Sequence, residues 1–307
     1  MKKLVLGMCL LAVGGVLAAQ PPERLAGLFR CQLHRGAGDA RPDNTLGSFI
    51  WTWGQGIAPE ADARLTKDGV AIACHDDTLK RCAGKGIDPA LASKHIRDLT
   101  WDEIRNVPMP AHMGKDWEWE RIPTMESVFA AMKGRPDRIL YLDEKGAPPE
   151  LMGEMSARFG VSEQVYYTSP NFRLIPRWKK VCPKGKSMVW LGTWPRKITP
   201  ESVAKAEKFL DDTFAAMEKT NFDGIDQIQI HIHSDKSLPD PYCPSTAYIK
   251  KAIQMLHSKG ITVQAFHWTD QKNKAMLRQI WDMGFDSFAT DATGTLLEFI
   301  NELKNEP

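Results

Sequence analysis

The stretch ILYLDEKGAPPELMGEMSARFGVSEQVYYT, residues 139–168, holds one complete unit of the fold. A short apolar run at 139–142 stops at the charged residues Asp143, Glu144 and Lys145. An amphipathic stretch follows over 149–159, and a second apolar run at 165–168. Strand, helix, strand in so few residues is the grammar of a parallel sheet with helices outside it. The same alternation extends in both directions. Strands are expected at 28–33, 58–65 with 70–74, 139–142, 165–168, 187–191, 224–232, 261–266 and 287–289. Helices are expected at 45–53, 124–133, 149–159, 172–180, 200–220, 245–258, 271–283 and 294–303. About eight such units predict a closed (β/α)8 TIM barrel. An open doubly wound sheet is the alternative, weakened because no Gly-x-Gly-x-x-Gly follows the first strand. Residues 77–121 break the alternation with Gly84, Gly86, Pro89, Pro108 and Pro110. They read as a loop-rich excursion near the barrel mouth, with a short helix introduced by Thr100.

The chain divides at its N-terminus. Lys2 and Lys3 precede an apolar run to Leu17, and Ala18-Ala19 supply small residues before Gln20. This pattern predicts a signal peptide over 1–19, a barrel domain over 20–307 and a periplasmic or secreted protein; a membrane-anchoring helix is the alternative. The apolar run is short for a membrane span, so no stable span is expected after processing. Without Lys2 and Lys3, 38 basic side chains face 38 acidic ones. That balance offers no electrostatic basis for a nucleic-acid partner. Of six cysteines, Cys9 lies in the leader, leaving Cys31, Cys74, Cys82, Cys182 and Cys243. Export permits disulfides, but an odd number leaves a thiol over, and no Cys-x-x-Cys spacing points to zinc.

The chemistry sits where the strands end, as barrel chemistry does. His34-Arg35 closes the first run, His75-Asp76 closes 70–74, and Asp143 and Lys145 close 139–142. Glu60 and Asp62 are two apart, so a strand sets both on one face. They would either bind Mg²⁺ or Ca²⁺ through oxygen or form a solvated, salt-bridged acidic edge. His34 and His75 suit proton transfer near neutral pH, although a strand-end histidine can equally be a structural hydrogen-bonder. Arg35 and Lys145 would neutralise phosphate oxygens. In Gln227-Ile-Gln-Ile-His231-Ile-His233 the isoleucines should face the helices and the polar residues the interior. His231 and His233 there are a metal pair or polar filling. Trp268 is either a wall for substrate or a core aromatic.

These residues, in order, closely resemble the glycerophosphodiester phosphodiesterase family, related to phosphatidylinositol phospholipase C-like TIM-barrel enzymes. The matching pieces are His34-Arg35-Gly36, Pro42-Asp43-Asn44-Thr45, Glu60-Ala61-Asp62, Thr66-Lys67-Asp68-Gly69 and His75-Asp76. Asp98-Leu99-Thr100, Ile122-Pro123-Thr124-Met125, Trp268-Thr269 and Thr290-Asp291 extend the match to the end of the chain. The resemblance implies metal-dependent hydrolysis of glycerophosphodiesters to an alcohol and glycerol 3-phosphate. It implies His34 and His75 as acid and base, Arg35 and Lys145 on the phosphate, and Glu60 and Asp62 on the metal. The family's third ligand is usually Glu in a Glu-x-Lys pattern. Strand period places Asp143, not Glu144, on the face shared with Lys145, so Asp143 takes that role here. The first step is expected to use His34 as base and His75 as acid. Asp43 and Asp270-Gln271 depart from the family pattern without removing a chemical group. A lysophospholipase D or sphingomyelinase D-like activity on lipid head groups is the second enzyme reading, and a non-catalytic binding barrel the third. Head-group specificity and oligomeric state are not written in these motifs.

Overall fold

The computed structural model describes residues 25–109 and 113–306. The expected signal peptide and His112 lie outside these residues. In chain order the strands are β1 (Gln32–Leu33), β2 (Ala58–Leu65), β3 (Ala71–Ala73), β4 (Leu140–Glu144), β5 (Val165–Ser169), β6 (Lys186–Leu191), β7 (Gln227–Ser234), β8 (Tyr242–Cys243), β9 (Thr262–His267) and β10 (Ser287–Thr290). All but β3 and β8 are parallel neighbours, and β1 pairs with both β10 and β2, which closes the barrel. The fold is a (β/α)8 barrel, not an open sheet.

The helices are α1 (Leu46–Gly54), α2 (Pro89–Ser93), α3 (Trp101–Ile104), α4 (Met125–Met132), α5 (Pro149–Phe159), α6 (Ile175–Val181), α7 (Pro200–Glu218), α8 (Thr246–Ser258), α9 (Lys274–Asp282) and α10 (Thr293–Lys304). Most start where a side chain can satisfy the free N–H groups of the first turn. Thr45, Thr124, Ser245 and Asn273 each accept from a backbone N–H at the head of α1, α4, α8 and α9. Gly160, in the left-handed region at φ 71°, ends α5 and turns the chain toward β5.

Strand period sorts the side chains into two cores. Ala61, Ala63, Leu140, Leu142, Ile228, Ile230 and Ile232 belong to the layer between barrel and helices. Ala58, Tyr141, Tyr166 and Met188 pack inside the barrel. Polar groups join them there: Gln229 donates to Gln264 Oε1 at 2.5 Å, and the Tyr141 hydroxyl donates to Gln227 Oε1 at 2.9 Å. The interior amides are therefore paired with one another rather than left as orphans. His231 continues this face, and burial lowers its pKa to about 3. It stacks on Trp190 at 5.3 Å as a neutral packing residue.

Several expected boundaries change. Residues 28–30 form a 3₁₀ turn, closed by the Arg30 N–H on the Gly27 carbonyl, so only Gln32–Leu33 remains as strand. Residues 70–74 do not continue β2 into the barrel: β3 runs antiparallel to it, with Ala63 opposite Ala73. Phe172–Leu174 is a 3₁₀ turn before α6, and α9 begins only after Asn273. The excursion at 77–121 carries α2 and α3 over a small core of its own, containing Leu79, Ile96, Leu99 and Ile104. Glu103 accepts from the Thr100 N–H at 2.7 Å and starts α3, the short helix expected after Thr100.

Candidate active site

Parallel register assembles the acidic centre. Glu60 pairs with Tyr141 and Asp62 with Asp143 on β2 and β4, so Asp62 and Asp143 stand side by side on the inner face. Ligand atoms of Glu60, Asp62 and Asp143 lie within 4.8 Å of one another, and all three side chains are buried. Glu144 points the other way and accepts from the Gly146 N–H at 2.8 Å.

The electrostatics of the trio suit a cation. Burial, then repulsion from Glu60 and Asp62, pushes Asp143 up to about 7 against the pull of Lys145. Burial likewise raises Glu60, with His34 opposing it. Lys145 Nζ donates to Asp143 Oδ2 at 2.5 Å and is 3.7 Å from Asp62 Oδ1, too little charge for three buried carboxylates. Asp62 Oδ2 accepts from Asn44 at 2.7 Å, while Asp62 Oδ1 is buried with no hydrogen-bond partner. An orphaned carboxylate oxygen among hard donors fits a divalent cation such as Mg²⁺ or Ca²⁺.

The two histidines approach this centre by different routes. His34 follows β1, and its Nδ1 is 2.7 Å from Asp291 after β10, with Nε2 3.9 Å from Glu60. His75 arrives from the β2–β3 hairpin, not from a barrel strand. The β2 strand overshoots the barrel and β3 returns alongside it, until the Cys74 N–H meets the Asp62 carbonyl at 2.8 Å. His75 Nδ1 lies 2.7 Å from Asp76, and its Nε2 lies 3.2 Å from Arg35. Each histidine thus has a carboxylate on Nδ1, which fixes the tautomer that leaves Nε2 toward the cavity. The rings are 6.3 Å apart. Burial lowers the pKa of His34, but Glu60 and Asp291 outweigh it and the net shift is upward. Burial and Arg35 lower that of His75 against the pull of Asp62.

Arg35 sits at φ 52°, and Gly36 at 106°. This left-handed turn aims the Arg35 backbone N–H at Glu60 Oε2, 3.1 Å away. Its guanidinium touches His75 and, at 3.4 Å, Asp43. Arg81 pairs with both Asp43 and Asp76, closing a ring of charges around His75.

An aromatic wall faces the carboxylates. Trp268 stacks on Phe266 at 4.0 Å, meets the His34 ring edge-on at 5.6 Å and touches the exposed Trp194 at 4.9 Å. Trp190 donates to Asp143 Oδ1 at 3.2 Å. All eight expected residues stay together: seven line a cavity of about 290 Å³, and Asp62 lies beneath it. His233 flanks the wall beside Trp194 rather than joining the acidic trio. Sequence reasoning gave no role to Asp291, Asp76, Asn44, Arg81 or Gln271. Only adjacency in short motifs signalled the first three. Gln271 donates to Asp291 Oδ2 at 3.2 Å across the barrel mouth.

The family model for the glycerophosphoryl diester phosphodiesterase family matches residues 34–295. This chain belongs to that family. The glycerophosphodiester phosphodiesterase of Caldanaerobacter subterraneus subsp. tengcongensis is 28% identical over 49% of this chain and 61% of its own length. Human glycerophosphodiester phosphodiesterase 1 is 26% identical over 51% of this chain and 45% of its own. The match therefore spans less than two thirds of either relative. In fold, the chain resembles a glycerophosphoryl diester phosphodiesterase from Parabacteroides distasonis, at a TM-score of 0.64 and 21% identity, over 93% of each chain. The family's domain covers the acidic trio and both histidines.

Proposed function

We propose that this protein is a divalent-cation-dependent phosphoric diester hydrolase that converts glycerophosphodiesters to glycerol 3-phosphate and an alcohol. One observation carries the reading: two carboxylate-oriented histidines and a buried acidic trio share one cavity. A cation held by Glu60, Asp62 and Asp143 would supply Lewis-acid polarisation of the phosphoryl group. Arg35 and Lys145 neutralise phosphate oxygens, Arg35 through its planar fork. Trp268 gives the glycerol carbons an apolar wall.

The opposite shifts of the histidines favour an order reversed from that expected from sequence. His75, whose pKa burial and Arg35 lower, takes the proton of the glycerol hydroxyl adjacent to the phosphoester at Nε2. That oxygen bonds to phosphorus. His34, whose pKa Glu60 and Asp291 raise, gives its Nε2 proton to the departing alcohol. The cyclic phosphate is then opened by water, with His34 accepting and His75 returning a proton.

The exposed tryptophans Trp119 and Trp194 favour a second reading, hydrolysis of lysolipid head groups at a lipid surface. Residues 1–19 support export, which N-terminal sequencing of the secreted or periplasmic protein would test. Among the described residues no helix is long and apolar enough to cross a membrane. A panel of glycerophosphodiesters and lysolipids, assayed with Mg²⁺, Ca²⁺ and chelator, tests the activity. Chelator-sensitive release of glycerol 3-phosphate is expected; no cleavage of any diester with either ion would sink the proposal.

A further inference from the structure

The segment that carries His75 also brings two cysteines together. Cys74 directly precedes His75 and Cys82 directly follows Arg81. Their Sγ atoms are 3.8 Å apart, and both side chains are buried in the excursion's core with Ile72 and Leu79. The other described cysteines have different company. Cys182 Sγ lies against the Ser156 hydroxyl, Cys243 Sγ lies near the Ser202 carbonyl, and Cys31 is buried in the main core.

We propose that Cys74 and Cys82 form a disulfide that staples the loop holding His75, Asp76 and Arg81. A disulfide needs the sulfurs at about 2.05 Å, and from 3.8 Å side-chain rotation can close the gap. The apolar surroundings would shield the bond once formed. Arg64 holds the His75 carbonyl at 2.6 Å, and the side chains beyond it are linked at the cavity rim by ion pairs of Arg81, whose side chain is 40% exposed, with Asp76 and Asp43. Exposed ion pairs of this kind are weak and screened by salt. A covalent link between the residues flanking His75–Arg81 would hold the histidine's carboxylate partner where those pairs leave it loose.

The oxidant required is a disulfide: oxidised glutathione in the test below, or a disulfide-exchanging oxidoreductase in an oxidising compartment reached by export. The thiolate of one cysteine attacks it, forming a mixed disulfide and releasing one glutathione thiol. The second cysteine's thiolate displaces the other glutathione. Two protein thiols are oxidised to one S–S bond, one oxidant disulfide is reduced to two thiols, and the two protons end on those thiols.

The test uses the full chain refolded in oxidised glutathione, denatured with alkylating agent and digested with trypsin. Cleavage after Lys80 and Arg81 puts Cys74 and Cys82 on different peptides, so they stay together only if bonded. A linked pair that separates on reduction is expected. Reduction should also lower Tm by roughly 5 °C, the order expected for a short closed loop. Cys82→Ala should abolish this reductant sensitivity, and Cys243→Ala should keep it. Recovery of Cys74 and Cys82 as separately alkylated peptides from protein refolded with oxidant would overturn the proposal. This readout is independent of phosphodiesterase activity.

Discussion

His34 and His75 have the same kind of partner, an aspartate, on the same nitrogen but stand on different foundations. His34 and Asp291 extend from β1 and β10, adjacent strands of a closed barrel, and the His34 N–H is tied to the Thr290 carbonyl at 3.1 Å. Their separation is set by the hydrogen-bond ladder. His75 and Asp76 are consecutive residues on a returning hairpin, held in place by the ring through Arg81, Asp43 and Arg35. One histidine is fixed by the barrel's ladder; the other has its backbone tied by Asp62 and Arg64 and its ring placed by side-chain charge. The barrel half should therefore tolerate salt and loss of a single contact, and the hairpin half should not.

The largest expected effect removes either ring. His34→Ala and His75→Ala should each lower kcat by about 10²–10⁴-fold on a natural diester. A glycerophosphodiester with a nitrophenol leaving group separates them. It needs little acid help, so His34→Ala should recover most activity on it while His75→Ala should not. Recovery by His75→Ala instead would restore the order expected from sequence.

The carboxylates behind the rings come next. Asp291→Asn and Asp76→Asn should each cost about 10–100-fold in kcat, because the tautomer is no longer fixed. If Asp76→Asn matched wild type, the shared logic of the two stations would fail.

A stability effect of roughly 2 kcal/mol probes the barrel-held side of the mouth. His267, on β9, is buried, and burial lowers its pKa from 6.5 to about 4. The unfolded chain binds this proton first as pH falls. Stability is thus fully present above pH 6.5 and declines between 6.5 and about 4. Denaturant unfolding at pH 7 and pH 5 should show the loss, and His267→Asn should shrink it. An unchanged pH dependence in that variant would remove His267 from the account.

The smallest effect sharpens the contrast most. Arg81→Ala should lower kcat about 3- to 10-fold, the scale of an exposed ion pair. Wild type should lose activity with rising salt, and the variant should lose less. Equal salt slopes would mean the hairpin histidine does not depend on its charge ring.

Residues next to one another in sequence were readable; residues brought together by closure were not. The inward pairing of Glu60 with Asp62, and the choice of Asp143 over Glu144, follow from strand period and agree with where the side chains lie. The role of Asp291 could not be read, because it is 257 residues from His34 and meets it only when β10 closes on β1. Gln271 likewise looked like the first residue of a helix, yet it lies ahead of α9 and braces Asp291. The origin of His75 was misread for a local reason. An apolar run of three to five residues gives no sign of direction, so β3 passed as a continuation toward the barrel.

By itself the sequence determined the repeating strand–helix order, the inward face of each strand and the family to which the motifs belong. These depend on periodicity and on neighbouring residues, which no later packing changes. Tertiary structure alone decided that β1 joins β10, that a hairpin bends His75 back over Asp62, and that three carboxylates share one buried space. Those outcomes depend on ring closure and parallel register, which bring together side chains that the chain itself keeps far apart.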